Sequence, residues 1–256
     1  AALTGLLLAL NLPATLPLWK AAVGCIFAIA VVKQLFGGLG CNFANPAITG
    51  RVFLLLSFAG DMTTWVKPFY YHGLSIGNQL SSSAGSLDLD AVTSATPLVT
   101  GTESLSNLFL GNVGGCIGET SALALLLGGL FLIFTRVISP STPIAYLGSL
   151  GILTFFHALA TGGSLTEVPY ALLSGGVMIG AFFMATDYVT TPITTKGKWI
   201  FGIGCGILTF VIREFASMPE GCSFSILLMN LLTPYIDKFT MTKPLGAKPI
   251  KQKEEA

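Results

Sequence analysis

Pro143-Ile-Ala-Tyr-Leu-Gly-Ser-Leu-Gly-Ile-Leu-Thr-Phe-Phe-His-Ala-Leu-Ala160 runs for eighteen residues without an Asp, Glu, Lys or Arg. As a helix rising about 1.5 Å per residue it covers about 27 Å, close to the thickness of a bilayer's hydrocarbon core. Seven further apolar segments flank it, at about 1–12, 18–36, 47–59, 119–135, 169–186, 198–214 and 221–237. Composition agrees: 52% of residues are hydrophobic and only 10% charged, where a soluble domain carries about 25% charged residues. The mean hydropathy is +0.77. The expected fold is therefore all-α, a polytopic transmembrane helix bundle of about eight helices. The 30 glycines suit close helix packing in lipid.

The segment at 47–59 is short. It follows Gly37-Gly38-Leu39-Gly40 and Asn45-Pro46, which suggests a broken or re-entrant element of the kind tolerated where protein covers the backbone. The chain opens Ala-Ala-Leu-Thr-Gly, inside an apolar run and without a positively charged leader. The expectation is an N-terminally truncated chain. A net charge of +1 gives no reason to expect nucleic acid as a partner. The five cysteines (Cys25, Cys41, Cys116, Cys205, Cys222) have no CxxC spacing and read as small apolar residues. No metal site is expected.

Charge orients the segments, because cytoplasmic flanks are rich in Lys and Arg. With the tail after 237 inside, Lys33, Arg51, Arg136, Lys196, Lys198 and lysines 238, 243, 248, 251 and 253 also lie inside. Lys20, Lys67 and Arg213 lie outside, a split of 10 to 3. The chain then reads as one membrane domain, 1–256, with an extracytoplasmic loop at 60–118 and a basic cytoplasmic tail at 238–256. An internal repeat is also expected. Asn45-Pro46-Ala-Ile-Thr-Gly-Arg51 resembles Thr191-Pro192-Ile-Thr-Thr-Lys196, and Gly118-Glu119 resembles Pro219-Glu220. Duplicated halves around a central site are common in transporter folds.

The outer loop carries a Ser/Gly run, Ser81-Ser82-Ser83-Ala84-Gly85-Ser86, and then Asp90-Ala-Val-Thr-Ser-Ala-Thr96. A threonine hydroxyl is a poor nucleophile until a base or metal activates it. Asp90 is suited to docking a metal-bound cofactor. Thr93, Ser94 and Ala95 are small enough for an enzyme to approach the backbone, and Pro97 stiffens the exit. The plain alternative is an ordinary Ser/Thr-rich loop. Glu119 and Glu220 stand at expected helix N-termini, where they either cap or pack or line a cation path, since acids at membrane depth are costly and usually functional. Asp187, between two helices, is either a turn or N-cap residue or a contact to a second flavin or a cation. His72 and His157 are too far apart for a local metal motif, and His157 reads as a packed polar residue.

The heptapeptide resembles the site at which a flavin transferase attaches FMN to threonine through a phosphoester. Gly37-Gly38-Leu39-Gly40-Cys41-Asn42-Phe43-Ala44-Asn45-Pro46-Ala47 is similar to the segment ahead of that loop in the D component of Rnf electron-transport complexes. The B component of the sodium-pumping NADH:quinone oxidoreductase has a similar segment. Ala185-Thr186-Asp187, Lys196-Gly197-Lys198-Trp199, Pro219-Glu220-Gly221 and Asn230-Leu231-Leu232-Thr233-Pro234 resemble the family's second half. Ser94 stands where the family usually has Gly, and Tyr188 where Pro is common. The resemblance implies covalent FMN on Thr96 and a second, non-covalent flavin (riboflavin) nearer the cytoplasmic side. It also implies a membrane component of a ferredoxin:NAD+ oxidoreductase in the cytoplasmic (inner) membrane, coupled to Na+ or H+ translocation. Its partners would be a neighbouring covalent-FMN subunit and iron–sulfur and NADH-binding subunits. The competing expectations are the quinone-reductase type of component and a solute channel or permease of similar fold.

Overall fold

The computed structural model describes residues 1–38, 40–66, 93–94, 104–216 and 221–241. Helix α1 (Ala2–Leu10) ends at Asn11, whose Nδ2 donates to Leu7 O at 2.7 Å. Helix α2 (Leu18–Ile26) continues into a π-helical stretch, Phe27–Gln34. Helix α3 (Pro46–Ser57) is capped by Asn45, whose Oδ1 accepts from the amides of Ala47 and Ile48, with Pro46 in the first turn, where the missing N–H costs nothing. A short helix α4 (Ala59–Met62) leads to β1 (Trp65–Val66), which pairs antiparallel with β2 (Thr93–Ser94). Helix α5 (Leu105–Leu110) and an irregular stretch precede α6 (Ala122–Phe134).

Helix α7 (Ser141–Thr161) crosses on its own. Helix α8 (Glu167–Leu173) and α9 (Val177–Ile179), with its π-helical extension Gly180–Met184, form one apolar element bent by 64°. Helices α10 (Thr195–Phe215) and α11 (Gly221–Thr240) complete the bundle. Among the described residues, α7 and α10 are long and apolar enough to span a membrane, and the bent pair adds a third span if counted as one. Apart from the two-residue ladder the described chain is helical, and the bundle is that of a membrane subunit. Phe134, Phe215 and Phe239 point outward with most of their surface uncovered, as lipid-facing side chains do.

Each apolar segment expected from sequence coincides with a helical element, with one correction. The run at 169–186 is broken, because Gly175 at φ +64° turns the chain between α8 and α9, a conformation open to glycine. The core gathers Leu8, Leu54, Met62, Tyr146, Ile179, Met184, Phe201 and Ile226 from both halves of the chain. Helix α10 lies directly on α7. A Cβ at Gly202 would come within 2.7 Å of Ala145 Cβ and Thr142 O, so only glycine permits that approach. The positive-inside count also changes, since Arg51 is 3% exposed inside the bundle rather than flanking it. Arg213, counted on the other side, donates to Ala171 O at 2.8 Å and Ser174 O at 3.2 Å. Dropping one charge from each side leaves the asymmetry standing.

Candidate functional site

Two polar regions lie within the apolar bundle. The first borders a cavity of about 460 Å³, within the usual range for a cofactor pocket. Its walls are apolar: Leu3 and Leu7 of α1, Leu132 of α6, Val137 and Ile138 beyond it, and Phe182 and Phe183 of the π-helical stretch. Polar groups converge from Thr4, Lys33, Asn42, Asn45, Thr186 and Asp187.

The floor is held by a hydrogen-bond lattice. Asn45 Nδ2 donates to Met184 O at 3.1 Å, so the residue that caps α3 also ties it to the end of the π-helix. The Asn230 amide of α11, with its oxygen toward α3, accepts from Asn45 N at 3.0 Å and donates to Thr190 O at 3.3 Å. Thr233 Oγ1 donates to the same carbonyl at 2.8 Å. Thr190 Oγ1 donates to Asp187 Oδ2 at 3.0 Å, and Thr191 Oγ1 to Asp187 O at 2.6 Å. Asp187 thus serves the turn reading and faces the cavity as well. It does not cap α10, which Thr194 does by accepting from Gly197 N at 3.0 Å. Tyr188, where the family often has Pro, donates its hydroxyl to Val137 O and closes one edge.

The second region lies around the break between α8 and α9. Arg51 Nη1 donates to Asn11 Oδ1 at 3.2 Å and Nη2 to Cys116 Sγ at 3.3 Å. Glu119 Oε1 accepts from Cys116 N at 3.0 Å. Its Oε2 is buried with no hydrogen-bond partner among the described residues, as is Ser174 Oγ. A Cβ on Gly176 would lie 3.2 Å from Glu119 Oε2 and 3.4 Å from Arg51 Nη1, so a side chain there would wedge between acid and guanidinium. On the far side of Gly176, Cys222 Sγ donates to Gly176 O at 3.3 Å. Tyr146 Oη meets Cys222 Sγ at 3.1 Å and Thr209 Oγ1 at 2.7 Å.

Glu119 does not cap α6. Ser121 does, accepting from Ala124 N at 3.3 Å, which frees the Glu119 carboxylate for the polar centre. The cysteines are also more than filler, because Cys116 and Cys222 take part in these contacts. His157 is not packed inside. It lies partly exposed, with Nδ1 3.9 Å from Glu214 Oε2 and its ring 5.6 Å from Phe210. Asp90, Ala95, Thr96, His72 and Glu220 lie outside the described residues, and of the attachment motif only the backbone of Thr93 and Ser94 is described. Sequence reasoning missed Arg51 and Gly176. The signal was an Arg inside an apolar run, which is seldom tolerated without a partner.

Comparison with known proteins places this arrangement. The chain is 47% identical over 265 residues to the D component of the Na+-translocating ferredoxin:NAD+ oxidoreductase complex of Acetobacterium woodii, covering 100% of this chain and 76% of that protein. It is 43% identical over 261 residues to the D component of the proton-translocating ferredoxin:NAD+ oxidoreductase complex of Clostridium ljungdahlii, covering 96% and 74%. It is 41% identical over 273 residues to the D component of the ion-translocating oxidoreductase complex of Stutzerimonas stutzeri, covering 96% and 75%. The profile of the NQR2, RnfD, RnfE family matches residues 1–246, and the chain belongs to that family.

Proposed function

We propose that this chain is the membrane-embedded D component of an ion-translocating ferredoxin:NAD+ oxidoreductase (Rnf) complex, carrying electrons through FMN attached to Thr96. The observation that carries the reading is similarity along nearly the whole chain to the D components of such complexes. Its partners are the other subunits of the complex, among them a second covalent-FMN protein and iron–sulfur and NADH-binding subunits. The Asp90–Thr96 heptapeptide favours this over a permease, which has no use for it. The relatives named above are all D components, which favours it over the quinone-reductase type.

The reading extends to a multi-pass chain of about eight spans with an internal repeat. Residues 60–118 lie outside and the tail after 237 inside, as the distribution of Lys and Arg suggests. The cavity above Asn45 and Asp187 suits a second flavin. Its apolar walls match a tricyclic ring, and Asn42, Thr4 and Asp187 offer hydrogen bonds to polar edges. Among the described lining residues Lys33 has the one cationic side chain and Asp187 the one acidic one. That balance suits an uncharged flavin such as riboflavin better than one bearing a phosphate. The flavins, when bound, supply one- and two-electron transfer. The chain's own residues supply orientation, through the Asn45–Asn230–Asp187 lattice, and exclusion of water, through Phe182, Phe183 and Leu132. Glu119, with Glu220, is the candidate for the cation route. The relatives' names differ on the ion, Na+ in one and protons in another.

The test is denaturing-gel fluorescence under ultraviolet light after co-expression with a flavin transferase. A fluorescent wild-type band that is lost in Thr96→Val is expected, with both proteins equally abundant in the membrane. A dark wild-type band, with the transferase active on another target, removes the reading in favour of a permease.

A further inference from the structure

The ladder between β1 and β2 joins two stretches of very different character. β1 rests on a well-anchored base. Met62, just before it, is fully buried in the main core. Lys20 of α2 pairs with Asp61, and its ammonium lies 5.0 Å from the Phe58 ring centre and 5.4 Å from that of Trp19. Trp19 and Phe58 meet edge to face at 5.6 Å. Thr15 Oγ1 donates to Thr64 O at 3.2 Å, and the Thr63 and Thr64 hydroxyls donate back to Ala59 O at 2.9 Å and Gly60 O at 2.7 Å. Trp65 is 5% exposed. β2, by contrast, is the middle of the Asp90–Thr96 heptapeptide, paired in the register Trp65↔Ser94 and Val66↔Thr93.

The geometry points to β1 as a positioning strand that holds the flavin-bearing heptapeptide against the ends of α2 and α3. The inference rests on the reading of Thr96 as flavin acceptor and adds what fixes it. Were residues 67–92 a free tether, their ends would spread by roughly 28 Å. Pairing brings the motif within about 4.8 Å of an anchored strand. A two-stranded ladder is marginal on its own, so its persistence depends on the Lys20–Asp61 pair, the Thr15 bond and buried Trp65. Because the hold is made by backbone groups, Ser in place of Gly at 94 leaves it intact.

Val66 lies outside the heptapeptide, so Val66→Pro removes a ladder N–H without altering the transferase's target. The full chain is co-expressed with a flavin transferase and reconstituted in lipid nanodiscs. Gel fluorescence gives flavin loading, and steady-state anisotropy of the covalent flavin gives its freedom. Loading is expected to stay at the wild-type level while anisotropy drops by roughly half, because freed loop motion falls in the nanosecond range. Lys20→Met, which unpins the base without touching the ladder, is expected to give a smaller drop, and it carries the test if Val66→Pro fails to insert. Full loading with wild-type anisotropy in the informative variant overturns the positioning role and leaves the flavin reading standing. A dark wild-type band overturns both.

Discussion

The cavity floor and the centre around Gly176 are both polar islands in an apolar bundle, but they are built in opposite ways. At the floor, Asn45, Asn230, Thr190, Thr233 and Asp187 satisfy one another and leave about 460 Å³ open above them. At the centre, charged groups crowd a glycine that leaves no space for a methyl group, and a carboxylate oxygen has no hydrogen-bond partner among the described residues. A satisfied polar lattice is framework, rigid and able to orient a neutral guest. An unsatisfied acid beside a guanidinium in low dielectric keeps a charge whose partner can be exchanged, at a standing cost in stability.

The sharpest way to break this contrast is Arg51→Met. Removing the guanidinium leaves Glu119 as an uncompensated buried charge, and a loss of about 3–5 kcal/mol is expected, read as a large fall in thermal unfolding temperature in detergent. Adding Glu119→Gln to that background should recover much of the loss. Additive penalties would mean that the two groups do not sense each other.

Asn45→Ala attacks the framework instead. It deletes the cap of α3, worth about 1 kcal/mol, together with the bond to Met184 O. A smaller fall in stability is expected, with a measurable loss of non-covalently bound flavin extracted from the purified chain. Retention of that flavin at wild-type stoichiometry would separate the lattice from the cavity.

The mildest probe is Val137→Phe, which narrows the cavity from an exposed position. Stability should move by no more than about 0.5 kcal/mol while extractable flavin falls. If extractable flavin is undiminished, the guest sits elsewhere.

Hydropathy made the helical segments legible because a membrane leaves the backbone few other options. It was blind to the break at Ser174–Gly176, since glycine and serine barely lower an apolar average while changing what the chain can do. The α3 cap was readable from Asn45-Pro46, because a cap is a local event. Its second bond, to Met184, spans 139 positions of sequence and leaves no local trace. Arg51 was visible as a residue but assigned to the wrong environment. Charge counting treats every Arg near a helix end as a flank, and only packing against Asn11 and Cys116 shows it to be internal. Asp187 was visible as an acid with two readings, and the structure finds that one side chain serves both.

The π-helical turns at Phe27–Gln34 and Gly180–Met184 close with amides reaching five residues back, Leu35 N to Ala30 O at 3.1 Å and Ala185 N to Gly180 O at 2.7 Å. Each such turn stores a surplus residue, and a residue is worth about 100° of rotation about the helix axis. Dropping one residue from either stretch would therefore leave helix length almost untouched while swinging everything beyond it to a different compass bearing. The stretch before Asp187 acts as a dial, and its setting decides whether that carboxylate looks into the cavity or away from it.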